Sequence, residues 1–440
     1  MSLTRVKKIL NQPIDIAGLV FFRIAFGLIL LWEVTRYFDH NWIKRYWIDP
    51  HFYFTYEGFS WVTPWSGVGM YIHFYVLGIL AFFITIGFLY RISSILFFLG
   101  FSYVFLLDKT NYLNHFYLII LLSFIMIFIP ANRAYSVDAK LFPKIKSDWV
   151  PNWTLWWLRI QLGIAYFFGG VAKINSDWLQ GEPMRKWLSS RTDFPLIGQW
   201  FTEEWMVYLF VYSGLLLDLL IFPLLIFKKT RLPAAIVLTS FHLMNSELFA
   251  IGIFPWFMIV ATLIFFPPEK LRFWKGLKSK RPASFVSSRL VLWGLGIYML
   301  IQLTVPLRHF LFDGNVSWTE EGHRFSWHMK LRSKSTKIKF LITNLETEST
   351  SEVDLSKYLT KRQRKKIKSK PDMIFQFTHY LADEIVQGEK QNFVINVMSK
   401  CGLNGRPRAY LIDTIADLSK VKYPFYKKAD WILPLEIPLK

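Results

Sequence analysis

Apolar segments of membrane-spanning length recur through the first 306 residues, and no other feature constrains the fold as strongly. A helix needs ~20 residues to cross ~30 Å of hydrocarbon. We expect about nine transmembrane helices, at 16–37, 70–89, 92–107, 116–130, 156–172, 205–227, 232–250, 254–267 and 290–306. Two of these segments, 92–107 and 116–130, are short, so one of them is expected to be tilted or re-entrant. The predicted fold is an all-α polytopic membrane bundle.

The composition agrees with a membrane protein, because 53% of the residues are hydrophobic and only 19% are charged. The net charge of +21 raises the possibility of nucleic-acid binding. In a membrane protein, however, Lys and Arg collect in cytoplasmic loops and near anionic headgroups. We therefore expect contact with membrane lipid and no nucleic-acid partner. Cys401 is the single cysteine, which excludes an intrachain disulfide and a zinc site built from paired thiolates.

The charges of the loops predict an orientation in the membrane. With the N-terminus inside and the segments alternating, the inside loops hold 18 Lys and Arg residues and the outside loops hold 7. An excess of basic residues marks the cytoplasmic side. We therefore expect a cytoplasmic N-terminus, and an odd number of spans then places residues 307–440 outside the cytoplasm.

Residues 307–440 are patterned as a separate domain. The alternation of Lys337–Thr343 predicts a strand, and 372–386 is patterned as a helix. Phe393–Met398 and Ala409–Ile412 flank a turn-forming sequence and predict a hairpin. We expect a transmembrane catalytic domain at 1–306 followed by a small extracytoplasmic α+β domain at 307–440.

A run of basic residues at 361–368 lies between the predicted strand and the predicted helix of the outer domain. Such a run is most often a solvated linker or helix face. The functional alternative is a patch that attracts acidic headgroups or an acidic peptide.

Ionisable residues at membrane depth cost at least ~2.5 kcal/mol each, so each needs a reason. Lys173 ends the fifth predicted span, with Tyr166 one heptad before it on the same stripe. Gly169 and Gly170 permit the close approach of another helix or of a flat ligand. Lys173 is either a lysine that extends to the membrane interface or an amine sufficiently desolvated to act as a base.

Three more polar clusters fall on the same predicted face. Asn114 and His115 open the fourth span, His242 and Asn245 share one side of the seventh, and residues 315–327 follow the last. A lone histidine is more often a packing residue than a catalytic one. No metal site is expected, because His242 and the acidic residue five positions later diverge on a helix. The convergence of the four clusters on the outer face predicts a functional site there.

Longer motifs identify a family. The chain closely resembles the vitamin K-dependent gamma-glutamyl carboxylases from about residue 13 onward, as a short bacterial-type homologue with a horizontally transferred transmembrane domain. The resemblance rests on Phe22-Arg23, Tyr90-Arg91-Ile92-Ser93, Tyr103-Val104-Phe105-Leu106-Leu107-Asp108-Lys109-Thr110, Asn114-His115, Ala131-Asn132, Ser136-Val137-Asp138, Phe241-His242, Met244-Asn245-Ser246, Phe249 and Ser326-Trp327.

The resemblance implies an enzyme that uses reduced vitamin K, O2 and CO2 without a metal. A lysine amine deprotonates the quinol, O2 addition generates a strong base, and this base removes a γ-proton from a peptide glutamate. CO2 then adds to the carbanion, and the quinone epoxide is released. The family base falls on Lys173 and the family histidine on His115. Quinol binding is expected at Asn114, His242, Asn245, Tyr166, Gly169, Gly170 and Trp178, and contact with the Glu-containing peptide at His323, Trp327 and Arg332.

The chain also departs from the animal enzymes. They carry two lysines where this sequence has Ala172-Lys173, a tyrosine near His323, and a disulfide between domains that this chain cannot form. They also continue beyond the point that matches residue 440. We therefore expect a bacterial plasma-membrane member that uses phylloquinol or menaquinol, without assuming propeptide recognition. The alternatives are a quinol epoxidase coupled to another modification of an exported peptide, and a non-enzymatic membrane chaperone or transporter.

Overall fold

The computed structural model of the chain describes residues 3–249, 251–275, 281–388, 392–424 and 427–439. Within them, each of the nine predicted apolar segments coincides with a helix, although the last residue of the predicted 232–250 span lies outside the described residues. The helices of this part are α1 Leu3–Leu10, α2 Ala17–Asp39, α3 Gly69–Ile86, α4 Tyr90–Leu107, α5 Asn114–Phe128, α6 Val137–Leu141, α7 Trp153–Val171, α8 Ser176–Leu179, α9 Met184–Ser189, α10 Glu204–Ile226, α11 Arg231–Phe249, α12 Phe254–Thr262 and α13 Arg289–Thr304.

Five of the described helices are long and apolar enough to cross a membrane: α2, α3, α4, α10, and α13 with its 3-10 extension to Leu311. Two more, Asn114–Phe128 and Phe254–Phe265, are apolar but shorter. The polar residues of α7 and α11, among them Arg159 and Glu247, lower their hydropathy. The protein is thus mostly helical with five candidate spans, and nine membrane crossings stay a prediction.

Several motifs that carry the family resemblance meet at one end of the bundle. Arg23, fully buried in α2, donates to the Ala131 carbonyl at 3.3 Å. The Asp138 carboxylate accepts from the Tyr90 backbone N–H at 3.0 Å and so caps the start of α4. Gly87 has φ +66°, and a Cβ there would lie 2.2 Å from the Arg23 guanidinium. These motifs therefore build the helix connections at the end of the bundle where α2, α4 and α7 begin.

The C-terminal part forms the predicted α+β domain. A two-stranded ribbon, β1 Pro13–Asp15 with β2 Trp149–Pro151, belongs to the bundle. The outer elements are α14 Val316–Thr319, α15 Lys361–Ile367, α16 Pro371–Gly388, β3 Lys334–Asn344, β4 Thr350–Glu352, β5 Phe393–Leu403 and β6 Ala409–Tyr410. The four strands β3 to β6 form one antiparallel sheet in the order β4-β3-β5-β6. The predicted helix over 372–386 and the predicted hairpin are both confirmed, and β3 and β5 are longer than predicted.

A second hydrophobic core lies between this sheet and α16. Phe340 of β3 and Val397 of β5 are fully buried against Phe377 of α16. Cys401 is fully buried in the same core. The lone cysteine is therefore a packing residue.

The basic run at 361–368 was expected to be a solvated face or linker, and its residues Lys361–Ile367 form helix α15. Thr360 and Gln363 form a capping box at its start. The Gln363 side chain donates to the Phe52 carbonyl at 2.6 Å, and Arg362 donates to Asn111 at 2.8 Å. Arg362 and Gln363 therefore help to dock the outer domain onto the bundle.

The outer domain sits on the end of the bundle that carries Lys173. Arg406 pairs bidentately with Asp177 of α8, with both N–O distances 2.7 Å. Lys109, which follows α4, pairs with Asp372 of α16 at 2.8 Å. The neighbouring Asp108 accepts from the Gln363 side chain at 3.2 Å, so both residues contact the outer domain. The interface thus combines these ion pairs with apolar contacts such as Phe52 against Phe377.

Candidate active site

A buried ion pair joins α7 to α10. The Lys173 ammonium, just after α7, pairs with the Asp218 carboxylate in the middle of α10, and both residues are less than 10% exposed. A Cβ at Gly170 would lie 2.8 Å from the Leu219 side chain, and one at Gly169 would lie 3.2 Å from the Asp218 carboxylate. The two glycines therefore let α10 approach closely enough to bring Asp218 to the lysine.

The ion pair lines a cavity of about 1040 Å³, counting its opening to solvent. The lining is mainly apolar and aromatic, including Phe241, Phe249, Phe254 and Met258. Seven of the residues predicted from the sequence line it together: Asn114, Tyr166, Lys173, Trp178, His242, Asn245 and Trp327.

Hydrogen bonds fix the polar side chains of this wall. The Tyr166 hydroxyl and His242 Nε2 share a hydrogen bond of 2.7 Å, and both residues are buried. The Trp178 indole donates to a carbonyl of α10 at 3.1 Å and presents its ring 5.5 Å from the Lys173 amine. Asn114 donates to the His328 carbonyl at 3.2 Å. The cavity is therefore largely preformed.

His115, the expected family histidine, does not line this cavity. Its ring stacks on Phe254, with ring centroids 5.5 Å apart. Phe254 lies on the cavity wall, and His242 packs edge-on against it at 6.1 Å. A single phenylalanine thus separates the two histidines, and a catalytic role for His115 stays a prediction.

His323 and Arg332 also lie outside the cavity that holds Lys173. Both contact Glu320, whose buried carboxylate accepts two hydrogen bonds from Arg332 at 2.6 and 2.5 Å. Lys334 and Lys370 pair with the same carboxylate at 2.8 and 3.1 Å. Although burial raises the pKa of a carboxyl, these cations hold the pKa of Glu320 well below its usual range. The side chains compensate a buried charge, and their predicted role in peptide binding stays a prediction.

A second cavity, of about 1240 Å³ counting its opening, is lined by residues of both domains, His323 among them. Glu321 on its wall is 2% exposed, and one of its carboxylate oxygens accepts from the Ala429 backbone at 3.1 Å. The other oxygen has no hydrogen-bond partner within the described residues. Burial raises the pKa of Glu321 to about 7.

This carboxyl gives a pH-dependent stability. Between its ordinary pKa of about 4.5 and about 7, the folded protein keeps a proton that the unfolded chain loses. Stability should therefore fall as the pH rises through that window, by roughly 3 kcal/mol at most. We expect Glu321→Gln to flatten the slope, as measured by thermal unfolding in detergent at pH 4.5 to 7. An equal slope in both proteins would refute this assignment.

Two functional candidates escaped the sequence analysis. Asp218 is the one acidic residue of α10 beyond its first turn. It could have been identified from the sequence, because a carboxylate inside an apolar span is costly and so indicates a role. Lys330 lines the same cavity and presents its amine 4.8 Å from the centre of the Phe249 ring. It follows the last span, where a lysine is unremarkable in the sequence.

Comparison with known families agrees with this architecture. The family model described as HTTM domain matches residues 11–270, and the one described as Vitamin K-dependent gamma-carboxylase, lumenal domain, matches residues 287–437. The second match includes α13, so the domain boundary expected at 306 stays a prediction. No solved structure was found that matches the chain. With its membrane part and its outer part both matched, the chain belongs to the vitamin K-dependent gamma-carboxylase family.

Proposed function

We propose that the protein is a quinol-dependent gamma-glutamyl carboxylase and epoxidase. It takes reduced vitamin K, as phylloquinol or menaquinol, with O2, CO2 and a Glu-containing peptide, and it needs no metal. The observation that carries this proposal is the buried Lys173–Asp218 pair on the wall of a large aromatic cavity. The pair supplies a proton acceptor where a family of quinol-dependent carboxylases requires one.

The chemistry of the cavity lining suits a prenylated quinol. Its apolar walls suit the prenyl chain and the ring faces, and the sparse polar groups can orient the two ring hydroxyls. Tyr166 and His242, hydrogen-bonded to each other, are placed to bind one of them. When bound, the quinol supplies on reaction with O2 the strong base that removes the γ-proton of glutamate.

Lys173 acts as the base toward the quinol hydroxyl. Because the ammonium of the ion pair has no lone pair, it first passes a proton to the Asp218 carboxylate, and the neutral amine then takes the quinol proton, which leaves an ammonium beside a protonated Asp218. The apolar walls exclude water that would quench a strong base or a carbanion. His115 is proposed to act through Phe254, by holding that ring and thus the cavity wall beside His242.

We further propose that the cavity opens on the extracytoplasmic side of a bacterial plasma membrane, with the N-terminus in the cytoplasm. The family name of the outer domain and the loop charges support this orientation. The peptide substrate then reaches the cavity beside Trp327, and its flanking residues pass His323 in the second cavity and Arg332, which pairs with Glu320. In the described part of the chain, the basic residues of the loops at the far end, such as Arg133 and Lys140, would contact lipid headgroups.

Tyr166→Phe is expected to lower kcat/KM for the quinol by about 10-fold to 100-fold, because it removes a hydroxyl and leaves buried His242 unsatisfied. The measurement is the initial rate of epoxide formation over a range of quinol concentrations. Tyr208→Phe is the matched control, since Tyr208 is an exposed tyrosine of α10 outside the cavity. If kcat/KM falls equally in both variants, the Tyr166–His242 pair is not part of the quinol site.

The proposal is tested by giving the purified protein reduced vitamin K, O2 and a blocked Glu peptide, and by assaying epoxide and carboxylated peptide together. Both products are expected. Epoxide without carboxylated peptide would instead select the quinol epoxidase coupled to another peptide modification. If a folded protein forms neither product, the enzymatic proposal fails, and the alternative of a membrane chaperone or transporter is favoured.

A further inference from the structure

Lys330 brings a second amine to the wall of the cavity. The residue is exposed, so it lies where the cavity opens to solvent. Its amine lies 4.8 Å from the Phe249 ring centre and 5.8 Å from that of Trp187. Within the described residues, no carboxylate lies within ion-pair distance of it. Two aromatic rings thus hold a free cation at the opening.

The charges of the cavity are otherwise balanced. Lys173 is matched by Asp218, and Tyr166 is bonded to His242. Lys330 therefore leaves one uncompensated positive charge among the described lining residues. An ionised carboxylate entering an apolar cavity pays a desolvation penalty unless it meets a counter-charge. The lining is matched in charge to a ligand with one negative charge.

A free N–H group accompanies this cation. Trp327 is 1% exposed and lines the same cavity, and its indole nitrogen has no acceptor within the described residues. Met329, between the two residues, lies against α7, because a Cβ at Gly169 would be 3.1 Å from its terminal methyl. The segment 327–330 is thus held against the helix that carries the proposed base.

We infer that Lys330 and the indole N–H of Trp327 form a carboxylate-binding site that takes the side chain of the peptide glutamate. This inference rests on the proposed function, because it assigns the group that receives the substrate's carboxylate. When the γ-carbon loses its proton to the base, the electron pair left on that carbon delocalises onto the carboxylate. The Lys330 ammonium then faces the oxygens on which negative charge increases.

The inference is tested by binding, without quinol, O2 or CO2. The probes are acetyl-Leu-Glu-Leu-amide and its Gln analogue, whose blocked termini leave the glutamate as the only charge. Both are titrated into the full-length protein in detergent, and tryptophan fluorescence reports binding, since Trp187 lies beside Lys330. We expect the wild type to prefer the Glu peptide by about 10-fold, the effect of one partly exposed charge pair.

Lys330→Gln is expected to abolish this preference, and Lys330→Arg, which keeps the charge, to retain it within about threefold. Lys400→Gln is the matched control, because Lys400 is an exposed lysine whose amine lies 4.6 Å from a tyrosine ring in the outer domain, away from the cavity. A preference that persists in Lys330→Gln, or is absent from the wild type, would overturn the inference. Because turnover is not required, the result stands even if the protein proves to make no epoxide.

Discussion

Asp218→Ala should lower the free energy of unfolding by about 3–5 kcal/mol, the usual cost of leaving one member of a buried ion pair without its partner. Lys173 and Asp218 are both less than 10% exposed, and the walls around them are largely apolar. Removing the carboxylate therefore leaves the Lys173 charge without its partner in a largely apolar site. The measurement is thermal unfolding of the purified wild type and of the purified variant in the same detergent.

A double variant distinguishes the contribution of the ion pair to stability from the contribution of the packing of the two side chains. Lys173→Met with Asp218→Leu replaces both charges by apolar groups of similar size and should recover most of the lost stability. Together with the single variants Lys173→Met and Asp218→Leu, the wild type and the double variant form a double-mutant cycle whose coupling energy measures the interaction. If Asp218→Ala unfolds like the wild type, the carboxylate does not compensate the lysine, and the account of this site is wrong.

Lys173→Ala should lower the rate of quinol epoxidation by about 10²–10⁴-fold, the range expected when a general base is removed. Quinol binding should change much less, because the aromatic walls and the Tyr166–His242 pair remain. The two readouts are the initial rate of epoxide formation and the binding of the quinol measured by tryptophan fluorescence. Loss of binding together with rate would indicate a structural role for the lysine.

Lys109→Ala is the matched control for this variant. Lys109 is also a buried lysine paired with a carboxylate, Asp372, at the same end of the bundle, but it does not line the cavity. The control should lose stability and keep its epoxidation rate per folded molecule within about threefold of the wild type. If both lysine variants lose the reaction equally, the effect of Lys173→Ala is a loss of structure and not of a base.

The helices could be predicted because each of them corresponds to one continuous apolar segment of the sequence. Asp218 could have been found in the same way, as a carboxylate in an otherwise apolar span. The pairing of Asp218 with Lys173 could not be predicted, because the closeness of α7 and α10 depends on packing at Gly169 and Gly170, which no local pattern fixes. Lys330 was missed for a similar reason, since only the path of the chain after α13 brings it to the cavity.

The family resemblance located most of the cavity but did not distinguish its roles. Asn114, Tyr166, Lys173, His242 and Asn245 line one space, as expected from their common face. Motifs that matched equally well, such as Arg23 with Asp138, instead build the far end of the bundle. His323 and Arg332 surround a buried carboxylate that must be neutralised. Similarity alone does not separate residues that hold the fold from residues that meet a ligand.

The most direct test of the central claim is the incorporation of labelled CO2 into acetyl-Leu-Glu-Leu-amide by the purified protein, with and without reduced vitamin K. The account predicts label in the peptide when quinol and O2 are both present, and none when quinol is withheld or when the peptide carries Gln in place of Glu. A folded, quinol-binding protein that incorporates no label would contradict the assignment of this cavity to glutamate carboxylation.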